Sequence, residues 1–229
     1  MIPTGSPTDR NRALVIGASG GIGRALCAAL VARGVDVTGL SRSADGIDLA
    51  DPDALSQRMS TLEGPFRTIL VATGLLAPDG ARPEKSLAEI DARRMAEVMA
   101  VNAIGPALVL GHVPRLLPRR GRSVVGVLTA RVGSIGDNRL GGWYSYRASK
   151  AAANQIVRTA AIEIARSHPE AIVAALHPGT VETPFTRDYP AHRKIGADEA
   201  ASNLLDVLDG LEPRQTGQFF DWAGKPVPW

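Results

Sequence analysis

The apolar positions of the chain alternate between short continuous runs and longer stretches with helical spacing. Residues 13–16 form the first run, and from Ile22 onward apolar side chains recur every three or four residues until Gly34, where a helix is expected to end. Short runs of this kind are typical of parallel strands buried on both faces. The pattern predicts further strands over 35–40, 66–71, 123–128, 172–176 and 218–220, and helices over 91–117, 146–167 and 197–208.

Strands that alternate with helices in this way indicate a parallel sheet with right-handed crossovers. We therefore predict an α/β fold, a doubly wound parallel sheet of about seven strands flanked by helices. The chain contains no internal repeat of about 20 to 50 residues and no low-complexity linker. A single domain over 1–229 is expected, with 1–11 as a flexible lead.

Composition places the chain among ordinary globular proteins. Of its 229 residues, 45% are hydrophobic and 21% are charged, values that argue against disordered and fibrous classes. No apolar stretch reaches the roughly 20 residues that a membrane span requires. The N-terminus lacks the basic start and apolar run of a signal peptide. We expect a cytoplasmic protein with no membrane partner.

Charge and cysteine content exclude further kinds of site. The net charge of +3 suits a small anionic ligand better than nucleic acid, so we expect a small-molecule partner and no nucleic acid. The single cysteine, Cys27, rules out an internal disulfide and a cysteine-based zinc cluster. The four histidines have no metal-like spacing, and no metal site is predicted.

A glycine-rich loop connects the first predicted strand to the first predicted helix. Glycines let the backbone approach a pyrophosphate, and the helix N-terminus offers free N–H groups and the positive end of its dipole. The alternative is a tight turn that only packs the strand on the helix. The position after a buried strand favours dinucleotide binding. The residues predicted to bind it are Gly17, Ser19, Gly20, Gly21, Ile22 and Gly23.

The end of the second strand indicates which dinucleotide is bound. Ser41, Arg42 and Ser43 stand there, with no carboxylate to repel a 2′-phosphate. Charge-assisted hydrogen bonds from Arg42 favour NADP(H), with NAD(H) as the alternative cofactor, unless Arg42 is only an exposed loop arginine. Asp48 and Leu49 are candidates for the adenine edge, although an aspartate in a loop often only forms a turn.

Tyr146 and Lys150 form the most informative pair in the sequence. Residues at i and i+4 share one face of a helix, so the phenol and the ammonium can reach one site. A nearby ammonium stabilises the phenolate, and we expect it to lower the tyrosine pKa towards the working range of an acid-base catalyst. The alternative is an ordinary amphipathic helix, which the glycine loop makes the weaker interpretation.

The glycine spacing followed by Tyr-x-x-x-Lys resembles the short-chain dehydrogenase/reductase family in its single-domain form, over essentially the whole chain. Residues 131–138, the approach 141–146 and the closing Gly-Lys-Pro-Val-Pro-Trp are similar to the C-factor-like and carbonyl-reductase-type branch. The resemblance implies a Rossmann-like fold and one dinucleotide-binding and catalytic domain.

The resemblance also implies roles for individual residues. Tyr146 would protonate a carbonyl oxygen while hydride arrives from the nicotinamide, and Lys150 would also bind the nicotinamide ribose. Asn102 matches the asparagine that kinks a helix and whose carbonyl holds a water linking Lys150 to solvent, the alternative being a helix cap. Gly74 would keep the close backbone approach to the cofactor, although the family's Asn-Asn-Ala-Gly reads Val-Ala-Thr-Gly here. Further implied cofactor-binding residues are Pro178, Gly179, Val181 and Thr183.

By the same resemblance, 185–196 would be a substrate lid, the alternative being disorder without a gating role. A homodimer or homotetramer would form through the helices that carry Asn102 and Tyr146.

The family's catalytic serine is missing. Counting back from Gly133 places that position at Ala130, which has no hydroxyl. Ser134 is the candidate replacement, against the alternative that it only lines the pocket. Thr129 is a weaker candidate, because its side chain should point to the other face of the strand.

The sequence as a whole predicts an NADP(H)-dependent oxidoreductase acting on a carbonyl compound or a secondary alcohol, with Tyr146 as the proton donor and acceptor. The alternative function is a cofactor-binding sensor or signalling protein with the same fold and little turnover. Ala130 keeps that alternative open.

Overall fold

One parallel sheet forms the centre of the protein. The computed structural model describes residues 11–78, 80–186 and 194–229. In this part of the chain six strands are hydrogen-bonded in the order β2, β1, β3, β4, β5, β6, and every neighbouring pair is parallel. The strands are β1 Arg12–Ile16, β2 Asp36–Leu40, β3 Thr68–Val71, β4 Ser123–Leu128, β5 Ala171–His177 and β6 Phe219–Asp221.

Helices cover both faces of this sheet, which confirms the doubly wound α/β fold. In β4, Val125 and Val127 pack in the core shared with α3, α5 and α6, whereas Val124 and Leu128 pack in the core shared with α1 and α7. The helices are α1 Gly21–Ala32, α2 Arg42–Asp45, α3 Pro52–Ser60, α4 Ala92–Met99, α5 Gly105–Leu116, α6 Tyr144–Ala165 and α7 Ala197–Gly210, with a π-helical turn over Ala100–Ile104.

The chain reverses its direction of winding at β1. The strand β2 lies on one side of β1 and β3 lies on the other, so the loops that follow β1 and β3 diverge at the carboxyl edge of the sheet. Ligands of doubly wound sheets bind in the crevice at such a switch point. The glycine loop follows β1, and Ala72–Gly74 follow β3, so both lie at this crevice.

The sheet of the described residues has six strands rather than about seven. Between β2 and β3 the chain forms α2 and α3, and Ile47 and Leu49 are buried without strand pairing. The helix α3 is missing from the sequence prediction, although its start carries a clear signal. Asp51 caps it by accepting hydrogen bonds from the backbone N–H groups of Asp53 and Ala54, and Pro52 occupies its first turn.

One helix in the described ranges is long and apolar enough, by length and composition, to cross a membrane, whereas the sequence pattern predicts none. It is the continuous run Ala92–Leu116, which contains the π-helical turn. Its inward face supplies Val109, Val113 and Leu116 to the core beneath the sheet. Core helices of globular proteins pass the same test of length and apolarity.

We predict that Gly23→Ala destabilises the protein, because a Cβ at Gly23 would lie 2.0 Å from the carbonyl oxygen of Gly17. The clash is with backbone and can only be relieved by moving the loop off α1, so the free energy of unfolding should fall by about 1–3 kcal/mol in a urea titration. Gly20→Ala is the matched control, because its Cβ would lie 3.4 Å from the same oxygen. Equal stability of the two variants would contradict the close packing of the loop on the helix.

Candidate active site

A cleft of about 470 Å³ opens at the carboxyl edge of the sheet, at the switch point. It is bounded by the glycine loop, the ends of β3, β4 and β5, and the first turns of α6. Many residues predicted from the sequence line it. They are Ser19, Gly20, Gly21, Ile22, Gly74, Tyr146, Lys150, Pro178, Gly179, Val181 and Thr183.

The glycine loop owes its place in the cleft to close backbone contacts. A Cβ at Gly17, whose φ is +91°, would lie 2.8 Å from the carbonyl oxygen of Ala72. A Cβ at Gly21 would lie 2.6 Å from Cγ2 of Thr183, so the loop after β5 packs directly on the loop after β1. Gly17 and Gly23 thus allow the close backbone packing that holds the loop in place, while Gly20 and Gly21 line the cleft.

Tyr146 and Lys150 lie on the buried face of α6, as the spacing predicts. They are 7% and 2% exposed, and the Lys150 Nζ lies 5.9 Å from the centroid of the Tyr146 ring. The Nζ donates a hydrogen bond of 3.0 Å to the carbonyl oxygen of Leu128 at the end of β4. A Cβ at Gly74 would lie 3.6 Å from the same Nζ, so the end of β3 also adjoins this pair.

The expectation that Lys150 lowers the Tyr146 pKa is wrong. Burial raises the pKa of Tyr146 above its usual range, and burial lowers the pKa of Lys150 to about 8. Desolvation disfavours the charged form of each group. Because Lys150 bonds to Leu128, its charge is not directed at the phenol alone, and desolvation of the phenol dominates. At neutral pH the phenol therefore retains its proton.

Asn102 lies in the π-helical turn and is 1% exposed. Its side-chain oxygen accepts from the backbone N–H of Leu75 at 2.7 Å, and its Nδ2 donates to the Leu75 carbonyl at 2.7 Å and to Ser149 Oγ at 3.0 Å. Ser149 Oγ donates in turn to the Tyr146 carbonyl at 2.8 Å. The side chain therefore braces the loop after β3 against α6 and does not cap a helix.

The structure does not bring Ser134 to the cleft. Its side chain is 2% exposed, and its Oγ accepts the backbone N–H of Asp137 at 3.1 Å. The hydroxyl closes a local turn after the short 3₁₀ helix Arg131–Gly133. Ala130 does line the cleft and packs with Tyr146, so a methyl group occupies the position where the sequence resemblance implies a serine.

The residues predicted to contact the adenosine part of the cofactor lie outside the lining of the cleft. Ser41 Oγ caps α2 by accepting the N–H of Ala44, and Arg42 begins that helix with an exposed side chain. The candidates for the adenine edge do not line the cleft. Asp48 accepts the N–H of Ala50 at 2.9 Å as a turn former, and Leu49 is 6% exposed in the core.

Leu49 is held in the core by α5: a Cβ at Gly105 would lie 2.5 Å from the Leu49 Cβ. Ser43 is an exposed residue of α2, and its Oγ lies 3.5 Å from Ser41 Oγ.

Arg24 is a cleft residue that the sequence analysis misses. It follows the glycine loop in the first turn of α1, lines the cleft, and donates from Nη2 to the Ser19 carbonyl at 3.1 Å. The signal available in the sequence is its position one residue after Gly23. A guanidinium beside exposed backbone N–H groups adds positive charge where phosphate would lie.

Unpartnered polar atoms in the cleft fit a bound dinucleotide. Thr73 Oγ1, Thr129 Oγ1 and His177 Nδ1 are buried without a hydrogen-bond partner, and all three residues line the cleft. Buried polar groups are nearly always satisfied in proteins. Burial, followed by the positive charge of Arg131, lowers the pKa of His177 to about 4, so its ring is neutral at neutral pH. A ligand with many polar groups would supply what the glycine cradle and these atoms lack.

The rest of the cleft around Tyr146 is apolar. Trp143 and Phe185 lie 6.1 and 6.0 Å from Tyr146 between ring centroids, and Leu76 and Val132 complete the wall. Of the expected lid 185–196, Phe185 and Thr186 line the cleft, whereas 187–193 lie outside the described residues. In the described ranges no group of three or more His, Cys, Asp or Glu side chains is arranged to hold a metal ion.

Comparison with known sequences gives consistent relatives. The family model described as enoyl-(acyl carrier protein) reductase matches residues 17–208. The 1-hydroxy-2-glutathionyl-2-methyl-3-butene dehydrogenase of Rhodococcus sp. (strain AD45) is 31% identical, over 94% of this chain and 98% of its own. The C-signal protein of Myxococcus xanthus is 36% identical, over 63% of this chain and 84% of its own.

Solved structures agree with these relatives. A Burkholderia multivorans protein assigned to the short-chain dehydrogenases/reductases and solved with bound NADP is 26% identical, with a TM-score of 0.76, covering 96% of this chain and 100% of its own. The NADPH-bound carbonyl reductase from chicken fatty liver, 23% identical, has the same fold, with a TM-score of 0.82 over 96% of this chain and 99% of its own. With the family model spanning most of the chain and the glycine loop and Tyr146–Lys150 pair at one cleft, the protein belongs to the short-chain dehydrogenase/reductase family of oxidoreductases.

Proposed function

We propose that this protein uses NADP(H) to interconvert a carbonyl compound and the corresponding secondary alcohol, with Tyr146 as proton donor and acceptor. The observation that carries the proposal is the placement of Tyr146 and Lys150 in the same cleft as the glycine loop. When bound, the cofactor supplies or accepts the hydride, and the protein must supply the proton and the orientation. The cytoplasmic location and the homo-oligomer stay predictions.

The state of Tyr146 favours proton donation. Because burial raises its pKa, the phenol is protonated at neutral pH and can donate to a carbonyl oxygen in the apolar pocket. Lys150 is largely charged at neutral pH, since its pKa is about 8. As Tyr146 gives up its proton, the ammonium in this low-dielectric site stabilises the phenolate. The pair therefore supports reduction of the carbonyl as the direction for which the resting site is prepared.

Preference for NADP(H) is supported by positive charge at the adenosine side. Arg42 is exposed at the end of β2, and Arg24 lies at the glycine loop. The carboxylate of Asp45, at the end of the same helix α2, accepts the Ser41 N–H at 2.9 Å and lies 3.6 Å from Arg58. Its charge is thereby partly neutralised. The related Burkholderia protein binds NADP, which agrees with this preference.

The substrate that this pocket favours is an apolar carbonyl compound. Trp143, Phe185 and Leu76 surround Tyr146, and Ala130 brings a methyl group where a hydroxyl would help to polarise the carbonyl. Removing one such donor costs enzymes roughly 10²- to 10³-fold in rate. Turnover should therefore depend strongly on how well Tyr146 is positioned.

A second candidate function is that of a cofactor-binding signalling protein with little turnover. It is favoured by two observations, the absent hydroxyl at Ala130 and the similarity to the C-signal protein. This alternative requires tight NADPH binding without oxidation of NADPH when carbonyl compounds are added.

Tyr146→Phe should lower kcat for carbonyl reduction by about 10²- to 10⁴-fold, because it removes the proton donor, and should leave the NADPH Kd nearly unchanged. The measurement is NADPH oxidation with a panel of ketones and aldehydes. Tyr144→Phe is the matched control, since Tyr144 lies on the same helix and does not line the cleft. If the wild type oxidises NADPH no faster than Tyr146→Phe with every carbonyl compound, the enzyme proposal is wrong and the signalling alternative is favoured.

The profile of kcat/KM for NADPH against pH should fall as the pH rises through about 8, because Lys150 loses its charge in that range. A lysine with a lowered pKa is protonated below that pKa, so its contribution is complete at acid pH and lost above. In Lys150→Arg the guanidinium stays charged, and the decline near pH 8 should disappear. The proposal for Lys150 would be refuted by a variant that keeps the same decline.

Arg42→Ala should raise the Kd for NADPH by about 10- to 100-fold, through loss of a charge-assisted hydrogen bond, and leave the Kd for NADH nearly unchanged. Titration of intrinsic fluorescence with both cofactors measures this. Arg93→Ala, at an exposed arginine of α4, is the control. Equal affinities for NADPH and NADH in the wild type would rule out recognition of the 2′-phosphate by Arg42.

A further inference from the structure

The N-terminus of α6 has no cap from its own chain segment. The residue before the helix, Trp143, provides no side-chain cap, although the first N–H groups of a helix need acceptors. The acceptor comes instead from Glu84, in the segment between β3 and α4. Its carboxylate accepts the backbone N–H of Ser145 at 3.2 Å and also the Ser145 hydroxyl.

The Glu84 carboxylate is buried and interacts with Ser145 and with the charge of Arg94. It is 8% exposed and Ser145 is 3% exposed. Burial opposes its charge, but the hydrogen bonds from Ser145 and the nearby charge of Arg94 outweigh burial and lower the pKa of Glu84. A negative charge at this position also interacts favourably with the positive end of the α6 dipole.

The backbone that leads into α6 is in an unfavourable conformation. Gly141, Gly142 and Trp143 all have positive φ, with +54° at Trp143. A bulky residue holds that conformation only where its surroundings fix it. The Glu84 carbonyl accepts the Trp143 N–H at 2.5 Å, so Glu84 fixes this entry with its backbone and its carboxylate together.

The residues that Glu84 holds are adjacent to the reacting phenol. Ser145 directly precedes Tyr146, and the Trp143 ring meets the Tyr146 ring edge to face at 6.1 Å. The opposite end of the same segment is held at Leu75 by Asn102, which reaches Tyr146 through Ser149. Glu84 is therefore hydrogen-bonded directly to the first turn of α6, and Leu75 is connected to its second turn through Asn102 and Ser149.

We propose that Glu84 is a positioning residue that sets the place of the Tyr146 hydroxyl through Ser145 and Trp143. The inference rests on the proposed function. Because Ala130 offers no hydroxyl to orient the carbonyl, correct placement of Tyr146 has greater weight in this chain. Misplacement of a reacting group by about 1 Å can cost on the order of 10²-fold in rate.

The test compares Glu84→Ala, Glu84→Gln, Ser145→Ala and the double variant Glu84→Ala/Ser145→Ala. For each protein kcat, KM, the NADPH Kd and amide hydrogen exchange over 143–149 are measured. We expect Glu84→Ala to lower kcat by about 10- to 100-fold, with faster exchange over 143–149 and an NADPH Kd within about twofold of the wild type. Glu84→Gln should recover most of kcat, because its amide oxygen can still accept the Ser145 N–H.

Ser145→Ala should lower kcat less than Glu84→Ala, since the backbone bond remains, and the double variant should be no worse than Glu84→Ala. Glu89→Ala is the matched control. Glu89 is an exposed carboxylate between β3 and α4, and among the described residues it accepts hydrogen bonds from Lys85 and Ser86 and none from α6, so this variant should behave as wild type.

Two results would overturn the inference. One is a Glu84→Ala variant with wild-type kcat. The other is a Glu84→Ala variant in which activity falls only as much as the fraction of protein that still binds NADPH. That result would make the role of Glu84 purely structural. A wild type without turnover would refute the proposed function instead. In that case amide hydrogen exchange still tests the role of Glu84. If exchange over 143–149 is the same in Glu84→Ala as in the wild type, Glu84 does not hold the start of α6 in place.

Discussion

The whole cleft depends on the contact between the backbone ends of β1, β2 and β3. The Leu40 carbonyl at the end of β2 accepts the N–H groups of both Gly17 and Ala18, at 2.8 and 3.0 Å. On the other side, Gly17 lies so close to Ala72 that no side chain fits between them. These contacts turn the chain sharply from β1 into α1. The N–H groups at the start of α1 consequently face the crevice at the switch point, where an anionic cofactor would bind.

Burial gives the Tyr146–Lys150 pair its chemical character. Desolvation favours the neutral form of each group, so the phenol holds its proton and the ammonium loses its own more readily than in water. At neutral pH the cleft therefore holds a protonated phenol beside a lysine whose pKa is about 8. Hydrogen bonds from Asn102 to Ser149, and from Ser145 to Glu84, fix the helix that carries the pair. These polar contacts therefore hold the helix in place, whereas the pocket around Tyr146 is apolar.

Local sequence signals predicted the structure well where a short pattern of residues is compatible with a single local conformation. Glycines after a buried strand, and two side chains four residues apart on a helix, predicted residues that the fold brings to one cleft. The structure does not place Ser134 or Leu49 in the lining of the cleft, because spacing along the chain does not give the direction of a side chain in a loop. Ser134 bonds to its own turn, and Leu49 packs against Gly105 of α5. Both outcomes depend on residues distant in sequence or on a turn without a clear signature.

The sequence by itself determined the alternation of strands and helices, the glycine loop and the common face of Tyr146 and Lys150, because these follow from periodicity and from steric needs within a few residues. Only the tertiary structure decided how deeply Tyr146 and Lys150 are buried and which residues contact their helix. Burial raises the pKa of Tyr146 and lowers the pKa of Lys150, and Glu84, 61 positions before Ser145, accepts an N–H group at the start of α6. The acceptor for a helix N–H can come from any segment that packs beside it, and the packing of segments is a property of the whole fold.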